Sequence, residues 1–270
     1  MEAASLLLTI RVCFAVLVLS WFSIYDIKYR EIPDKHVWGS FYISLALFAI
    51  TIAVQLSNQP SSITAIVVYT SLSIFSGTGL FSIMYLMGLV GKADVFVITE
   101  LALLLPTPDV YSIVVYEMGN ILRLPPVLLI VLYSAFISIL IGASRSFLVS
   151  IIYRKAIPRD LPLVKKLVLV LTGRPMSIKS YLSSKHYYPL TIFEVKEGKL
   201  TRKYRLTFSV EGEEYWEHQA KVQKLLEEGI LSPNDYIWVT YGIPYIVPLL
   251  VGLIVFLVVG DAPLALFLRK

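Results

Sequence analysis

Two aspartates, Asp26 and Asp94, are the residues whose placement suggests chemistry. Each stands where a long apolar run gives way to a short basic stretch. An ionisable group at the edge of an apolar segment is costly to keep, which makes it a candidate for function. A pair of carboxylates can activate water. One accepts a proton from the water while the other, protonated, polarises the carbonyl under attack. Like charge and partial desolvation would let such a pair share one proton, so that its titration belongs to the pair. The same residues also suit plainer roles. Asp26 would serve to end a helix at an interface, and Asp94 would serve as the cap of the helix that follows it.

The elements that must position them are apolar helices. Of the 270 residues 57% are hydrophobic and only 16% charged, against about 25% charged in a soluble domain. A bilayer takes about 20 apolar residues to cross as a helix. Such runs cover about 5–25, interrupted by Arg11, then 37–56, 63–90, 125–152 and 243–268. The first is too long for a signal-peptide core and lacks a small-residue cleavage site, so it reads as a retained anchor. The second ends at the turn-like Ser57-Asn58-Gln59-Pro60. The third is long enough to tilt, or to break at Gly77 and Gly79. A shorter run from Val95 to Leu105 precedes Pro106 and Pro108 and reads as a fourth, half-length crossing or one that continues toward Tyr116. Asp261 and Pro263 interrupt the last. The sum is a polytopic α-helical membrane protein of about six spans.

Between Arg154 and Thr240 the composition changes. This segment holds 15 of the 24 Lys+Arg and 10 of the 19 Asp+Glu, and it is a small polar α+β domain before the last span. Residues 191–196 and 202–210 read as strands around a Glu197-Gly198 turn, and Glu213 to Gly229 as a helix stopped by glycine. The expected division is 1–153 for five spans and their loops, 154–240 for the polar domain, and 241–270 for the last span.

Lys28, Arg30 and Lys35 fall between the first two spans, Lys92 between the third and fourth, and Arg154, Lys155, Arg159, Lys165 and Lys166 open the polar domain. The remaining loops are poor in Lys and Arg. Six spans with both termini external place the basic loops, Asp26 and Asp94 in the cytoplasm. The net charge of +5 then reflects topology and contact with anionic headgroups rather than nucleic-acid binding. The lone Cys13 cannot form an internal disulfide, and His36, His186 and His218 lack metal-ligand spacing.

Three patches carry a resemblance. Tyr25-Asp26-Ile-Lys-Tyr-Arg30-Glu31-Ile32-Pro33-Asp34 resembles the segment after the first helix of type IV prepilin peptidases, where an Asp precedes an Arg-x-Ile-Pro-like stretch. Gly91-Lys92-Ala93-Asp94 resembles their Gly-x-Gly-Asp motif. Residues 237–248, from Ile237 to Pro248, look like the approach to the final helix of the archaeal preflagellin peptidases, which also carry a polar domain before the last span. The resemblance implies a membrane aspartyl endopeptidase with Asp26 and Asp94 as the catalytic pair and no metal or organic cofactor. It implies precursors with a basic cytosolic leader and a hydrophobic membrane helix as substrates, with no nucleic acid partner. Ala93 replaces the second Gly of the motif, and Phe96 stands where bacterial members often have Lys. The single cysteine speaks against the cysteine-rich insert of bifunctional bacterial enzymes, so no N-methyltransferase activity is expected.

Supporting roles can be read for the neighbouring residues. Glu31 and Asp34 would attract the basic leader that such substrates carry or, with Lys28, Arg30 and Lys35 beside them, simply form an interfacial mixed-charge loop. Lys92 would tune Asp94 or merely obey the positive-inside rule, and Gly91 would let a loop approach the substrate backbone. Glu100, within the fourth apolar run, would pair with another polar group or face a water-filled cavity. Trp21 and Trp38 read as interfacial anchors. Alternatives are a presenilin-like protease, which also uses Gly-x-Gly-Asp but cuts within a membrane helix, a transporter or channel using Asp26, Asp94 and Glu100, and a non-catalytic membrane subunit. The nearly uniform apolarity of the spans disfavours the transporter.

Overall fold

The computed structural model describes residues 2–58, 63–116, 121–153, 156–158, 160–196, 199–206, 208–209, 213–242 and 244–268. The turn at Gln59-Pro60, the basic residues Arg154, Lys155 and Arg159, and the Glu197-Gly198 turn lie outside them. The chain forms two compact units, residues 1–138 with 244–270, and residues 139–243.

The first unit is helical: α1 (Glu2–Tyr29), α2 (Asp34–Asn58), α3 (Ile63–Ile74), α4 (Leu80–Leu86), α5 (Lys92–Leu104), the start of α6 (Pro126–Ile152), α10 (Ile246–Val259) and α11 (Ala262–Leu268). Leu8, Val12, Ala15, Leu19 and Phe22 of α1 face the core at alternating four- and three-residue steps, while Leu6, Ile10, Leu17 and Ile24 are exposed. A helix apolar on its outer as well as its inner face belongs in a bilayer. The second helix reverses the soluble pattern. Ser40, Ser44 and Thr51 point inward, and Tyr42, Ile43 and Ile50 point out. Small inward side chains let helices approach closely in lipid, where apolarity no longer distinguishes inside from outside.

Among the described residues four helices are long and apolar enough to cross a membrane: 4–29, 34–57, 63–86 and 126–152. The third contains a π-helical turn, Phe75–Gly79, at the two glycines where a break was expected, and the helix continues through it. A Cβ on Gly77 would lie 2.8 Å from Val127 Cγ1, so the glycine permits the approach of α6. The last apolar run is not one straight span. It becomes α10 and α11, bent by 71°, and qualifies as a fifth crossing only if the pair is taken together. The bend has a local cause. Gly260 takes φ 56°, and the fully buried Asp261 accepts from the backbone N–H groups of Ile121, Leu122 and Arg123 at 3.0, 2.8 and 2.6 Å.

The short fourth run is α5, 13 residues long and thus about 20 Å. It ends at Leu104 and does not continue as α-helix toward Tyr116. A 3₁₀ segment, Pro108–Ile113, follows instead. Val97, Ile98, Leu101, Ala102, Leu103 and Leu104 are all buried, because α1, α2, α3 and α4 pack around this helix. Arg11 of α1 reaches the far end of α5. It is 1% exposed, donates to the Leu104 carbonyl at 3.1 Å and forms an ion pair with Asp109.

The second unit holds the end of α6 and the polar residues. Arg174–Ser177 (β1), Tyr187–Pro189 (β2) and Tyr236–Tyr241 (β5) make an antiparallel sheet in the order β1-β5-β2. The segment read as the approach to the last helix therefore begins as the central strand of a sheet, whose partners lie 50 to 65 residues earlier. Thr191–Lys196 (β3) and Lys199–Tyr204 (β4) form the expected hairpin, with the second strand starting and ending earlier than anticipated. Among the described residues three helices complete the unit: α7 (Leu163–Thr172), α8 (Ile178–Leu182) and α9 (Tyr215–Glu227). The expected helix from Glu213 is α9. The first and second of these helices were not legible as such in the sequence.

Candidate active site

Asp26 lies in the last turn of α1, half-buried, and its Oδ2 accepts a hydrogen bond from the Ile246 N–H at 3.3 Å. Ile246 is the first residue of α10. Its N–H has no acceptor within its own helix, as in any first turn, and Asp26 supplies one. Arg30 follows with φ 60°, the left-handed conformation that often ends a helix. It turns the chain toward α2, which begins at Asp34.

Asp94 lies in the first turn of α5, also half-buried. Gly91 is the N-cap residue, and its N–H donates to Asp94 Oδ2 at 3.0 Å. The expectation that Asp94 caps a helix is thus correct in kind but shifted. Asp94 is the third helical residue reaching back, not the cap itself. Gly91 has φ −82° and ψ 161°, extended backbone open to any residue, so its conformation does not require glycine. Ala93 is already helical, which explains why a second glycine is dispensable there.

The two carboxylates come to one end of the first unit. Arg11 of α1 meets Leu104 of α5, and Ala15, Val18 and Leu19 meet Val97, Leu101 and Leu104 around Glu100. The early part of α1 therefore packs on the late part of α5. The two helices run antiparallel, so the end of α1, with Asp26, and the start of α5, with Asp94, share one end. The start of α10 joins them. Asp26 holds Ile246, and Asp94 is near enough to the neighbouring Tyr245 to act on its hydroxyl electrostatically. That hydroxyl lies 3.2 Å from Ser134 Oγ, and the Tyr245 ring packs on Phe81. A shallow cleft of about 340 Å³ lined by Tyr25, Tyr29, Glu31 and Pro33 adjoins this end.

The other sequence candidates divide. Glu31 lines that cleft and is exposed, while Asp34 is the exposed first residue of α2. Lys92 is exposed, with its Nζ 6.0 Å from the centre of the Phe96 ring. Phe96 packs edge-on against Trp38 and Phe41. Glu100 is buried with Oε1 accepting from Ser40 Oγ at 2.8 Å, the polar pairing that its position suggested. It lies six residues into the apolar part of α5 from Asp94. Trp21 forms an aromatic cluster with Tyr25 and His36 beside Asp26. Tyr245 and the Ile246 N–H were not singled out beforehand. A backbone donor has no signature in the residue type, and the contact joins positions 26 and 246. No group of three His, Cys, Asp or Glu suited to a metal occurs among the described residues.

The profile described as the type IV leader peptidase family matches residues 13–143, and that described as the archaeal peptidase A24 C-terminus type II matches residues 165–262. The chain belongs to the type IV leader peptidase family. It is an archaeal-type member, since residues 165–262 match the archaeal profile. No curated protein sequence matches the chain significantly.

Proposed function

We propose that this leader peptidase is an aspartyl endopeptidase. It removes the basic leader from type IV pilin-like or archaeal flagellin precursors, with Asp26 and Asp94 as its catalytic pair. One carboxylate takes a proton from the attacking water. The other, protonated, donates to the scissile carbonyl oxygen; the first then passes the proton it took from water to the leaving amine, while the second recovers its own from the collapsing gem-diol. The observation that carries this reading is the meeting of Asp26, Asp94 and the start of α10 at one end of the unit, each carboxylate tied to a backbone N–H. Glu31, in the adjoining cleft, would attract the basic leader.

The site faces the cytoplasm in this reading, both termini are external, and the polar unit is cytoplasmic, because the Lys and Arg residues cluster in the connecting loops. The sixth crossing is α5 with the 3₁₀ segment after it. Thirteen α-helical residues at 1.5 Å and six 3₁₀ residues at 2.0 Å add up to roughly 30 Å, the thickness of the hydrocarbon core.

The test is cleavage of a precursor by the full chain in liposomes, with sequencing of the new N-terminus. A cut between the basic leader and the hydrophobic helix is expected. A cut inside the hydrophobic helix would favour the presenilin-like alternative, and no cut of any precursor would refute peptidase action. Cysteines placed at 26 and 94 should crosslink in substrate-loaded membranes.

A further inference from the structure

Helix α7 presents its apolar face in the wrong direction for a helix in water. Leu163, Val164, Leu167 and Leu171 are 80%, 71%, 58% and 38% exposed. At about 100° per residue these four form one continuous stripe. Leu169, fully buried against Leu190 and Trp238, points to the opposite side. The helix is therefore docked on its own unit by a narrow edge and offers its broad apolar face outward. Lys165, exposed, and Lys166, half-buried, fall on the two flanks between the stripe and the docked edge.

A stripe of leucines with a lysine on each flank is the pattern of a helix lying in the plane of a membrane interface, leucines down and amines reaching the headgroups. The chain also keeps α7 near a bilayer. The candidate span α6 ends at Ile152, and α7 starts at Leu163. The ten intervening residues extend at most roughly 35 Å.

We infer that α7 lies in the membrane interface, with Leu163, Val164, Leu167 and Leu171 in the acyl boundary and the two lysines against anionic headgroups. The occupant of the exposed stripe is thus the lipid surface. This goes beyond the proposed peptidase chemistry and does not rest on it. Its consequence is that the polar unit is attached to the membrane by this helix as well as by its covalent connections.

The experiment uses the full chain with Cys13→Ser, which removes the single native thiol, and spin labels on Leu163→Cys, Leu167→Cys and Leu171→Cys. A label on Lys221→Cys, an exposed position of α9, is the aqueous control. In vesicles of phosphatidylcholine with phosphatidylglycerol, the α7 labels should collide several-fold less with a water-soluble nickel complex, and more with oxygen, than the control. The contrast should shrink in phosphatidylcholine alone and with Lys165→Glu. Nickel access equal to that of the control would overturn the proposal. So would shielding accompanied by spin–spin broadening, which would show that a second copy covers the stripe. Shielding indifferent to both lipid charge and Lys165→Glu would overturn the role of the lysines. All three labelled leucines are exposed, so the substitutions leave the core intact.

Discussion

Replacing Asp26 or Asp94 by Asn separates catalysis from folding, because the structural roles of these carboxylates survive the change. In Asp26→Asn the amide oxygen still accepts from the Ile246 N–H. In Asp94→Asn it still accepts from the Gly91 N–H. A hydrogen bond to a charged acceptor exceeds a neutral one by about 1 kcal/mol. Loss of the Asp94 charge at the start of α5 adds about 0.3–1 kcal/mol. Each variant should therefore lose only about 1–2 kcal/mol of stability. The catalytic loss is of another order. An amide cannot accept and return the proton, and removing one general acid or base costs roughly 10²–10⁴-fold, or about 3–5 kcal/mol of barrier. The double variant should be hardly slower than either single one, since paired groups act as a unit. The assay is single-turnover leader cleavage in liposomes, with thermal unfolding measured on the same preparations. Turnover within about tenfold of the parent in either folded variant would remove that residue from the mechanism. Equal losses of stability and activity would refute the reasoning that separates them.

Glu100→Gln keeps the acceptor for Ser40 and should cleave at a rate much closer to the parent than either aspartate variant in the same assay. Arg11→Met leaves the Leu104 carbonyl and the Asp109 carboxylate without their cation; it should cost on the order of 3 kcal/mol, read as a lower unfolding temperature that Arg11→Met with Asp109→Leu partly restores. Gly252→Ala places a Cβ 2.6 Å from the Ile130 carbonyl oxygen, so α6 and α10 must separate, at about 1–3 kcal/mol. Gly91→Ala meets only Asp94 Oδ2 at 3.6 Å and should unfold at the parent temperature. In the polar unit, burial alone would raise the pKa of Glu213, but hydrogen bonds from Arg205, the Ser209 N–H and His218 outweigh it and hold the pKa at about 2 rather than 4.5. The folded state thus gains stability from ionised Glu213 above pH 4.5 and loses it as pH falls toward 2. Discounted for partial exposure, the gain is on the order of 1–2 kcal/mol. Denaturation followed by tryptophan fluorescence should show that Glu213→Gln flattens this acid limb.

What the sequence determined by itself is one-dimensional. Apolar length is written residue by residue, so the four long helices were legible to within a few positions, as was the short run that became α5. The β3–β4 hairpin and α9 were legible for the same reason, since each is decided by neighbours a few residues away. Asp26 and Asp94 stood out because a carboxylate at the end of an apolar run is expensive, and the motif around them pointed to the family.

The tertiary structure decided what depends on distant partners. The segment from Tyr236 to Tyr241 is built of β-branched and aromatic residues that suit a strand, but its place at the centre of a sheet comes from β1 and β2, which supply its hydrogen bonds. Asp261, which looked like an interruption in the last span, bends it because the backbone of residues 121–123 fills its carboxylate. The helix at Leu163–Thr172 shows its exposed stripe only once Leu169 is known to be the buried edge. The antiparallel packing of α1 on α5, fixed by Arg11 and the buried contacts along the pair, brings the ends carrying the two aspartates together. Such closure depends on which faces meet, a property of side chains far apart in the chain, and no spacing along the sequence contains it.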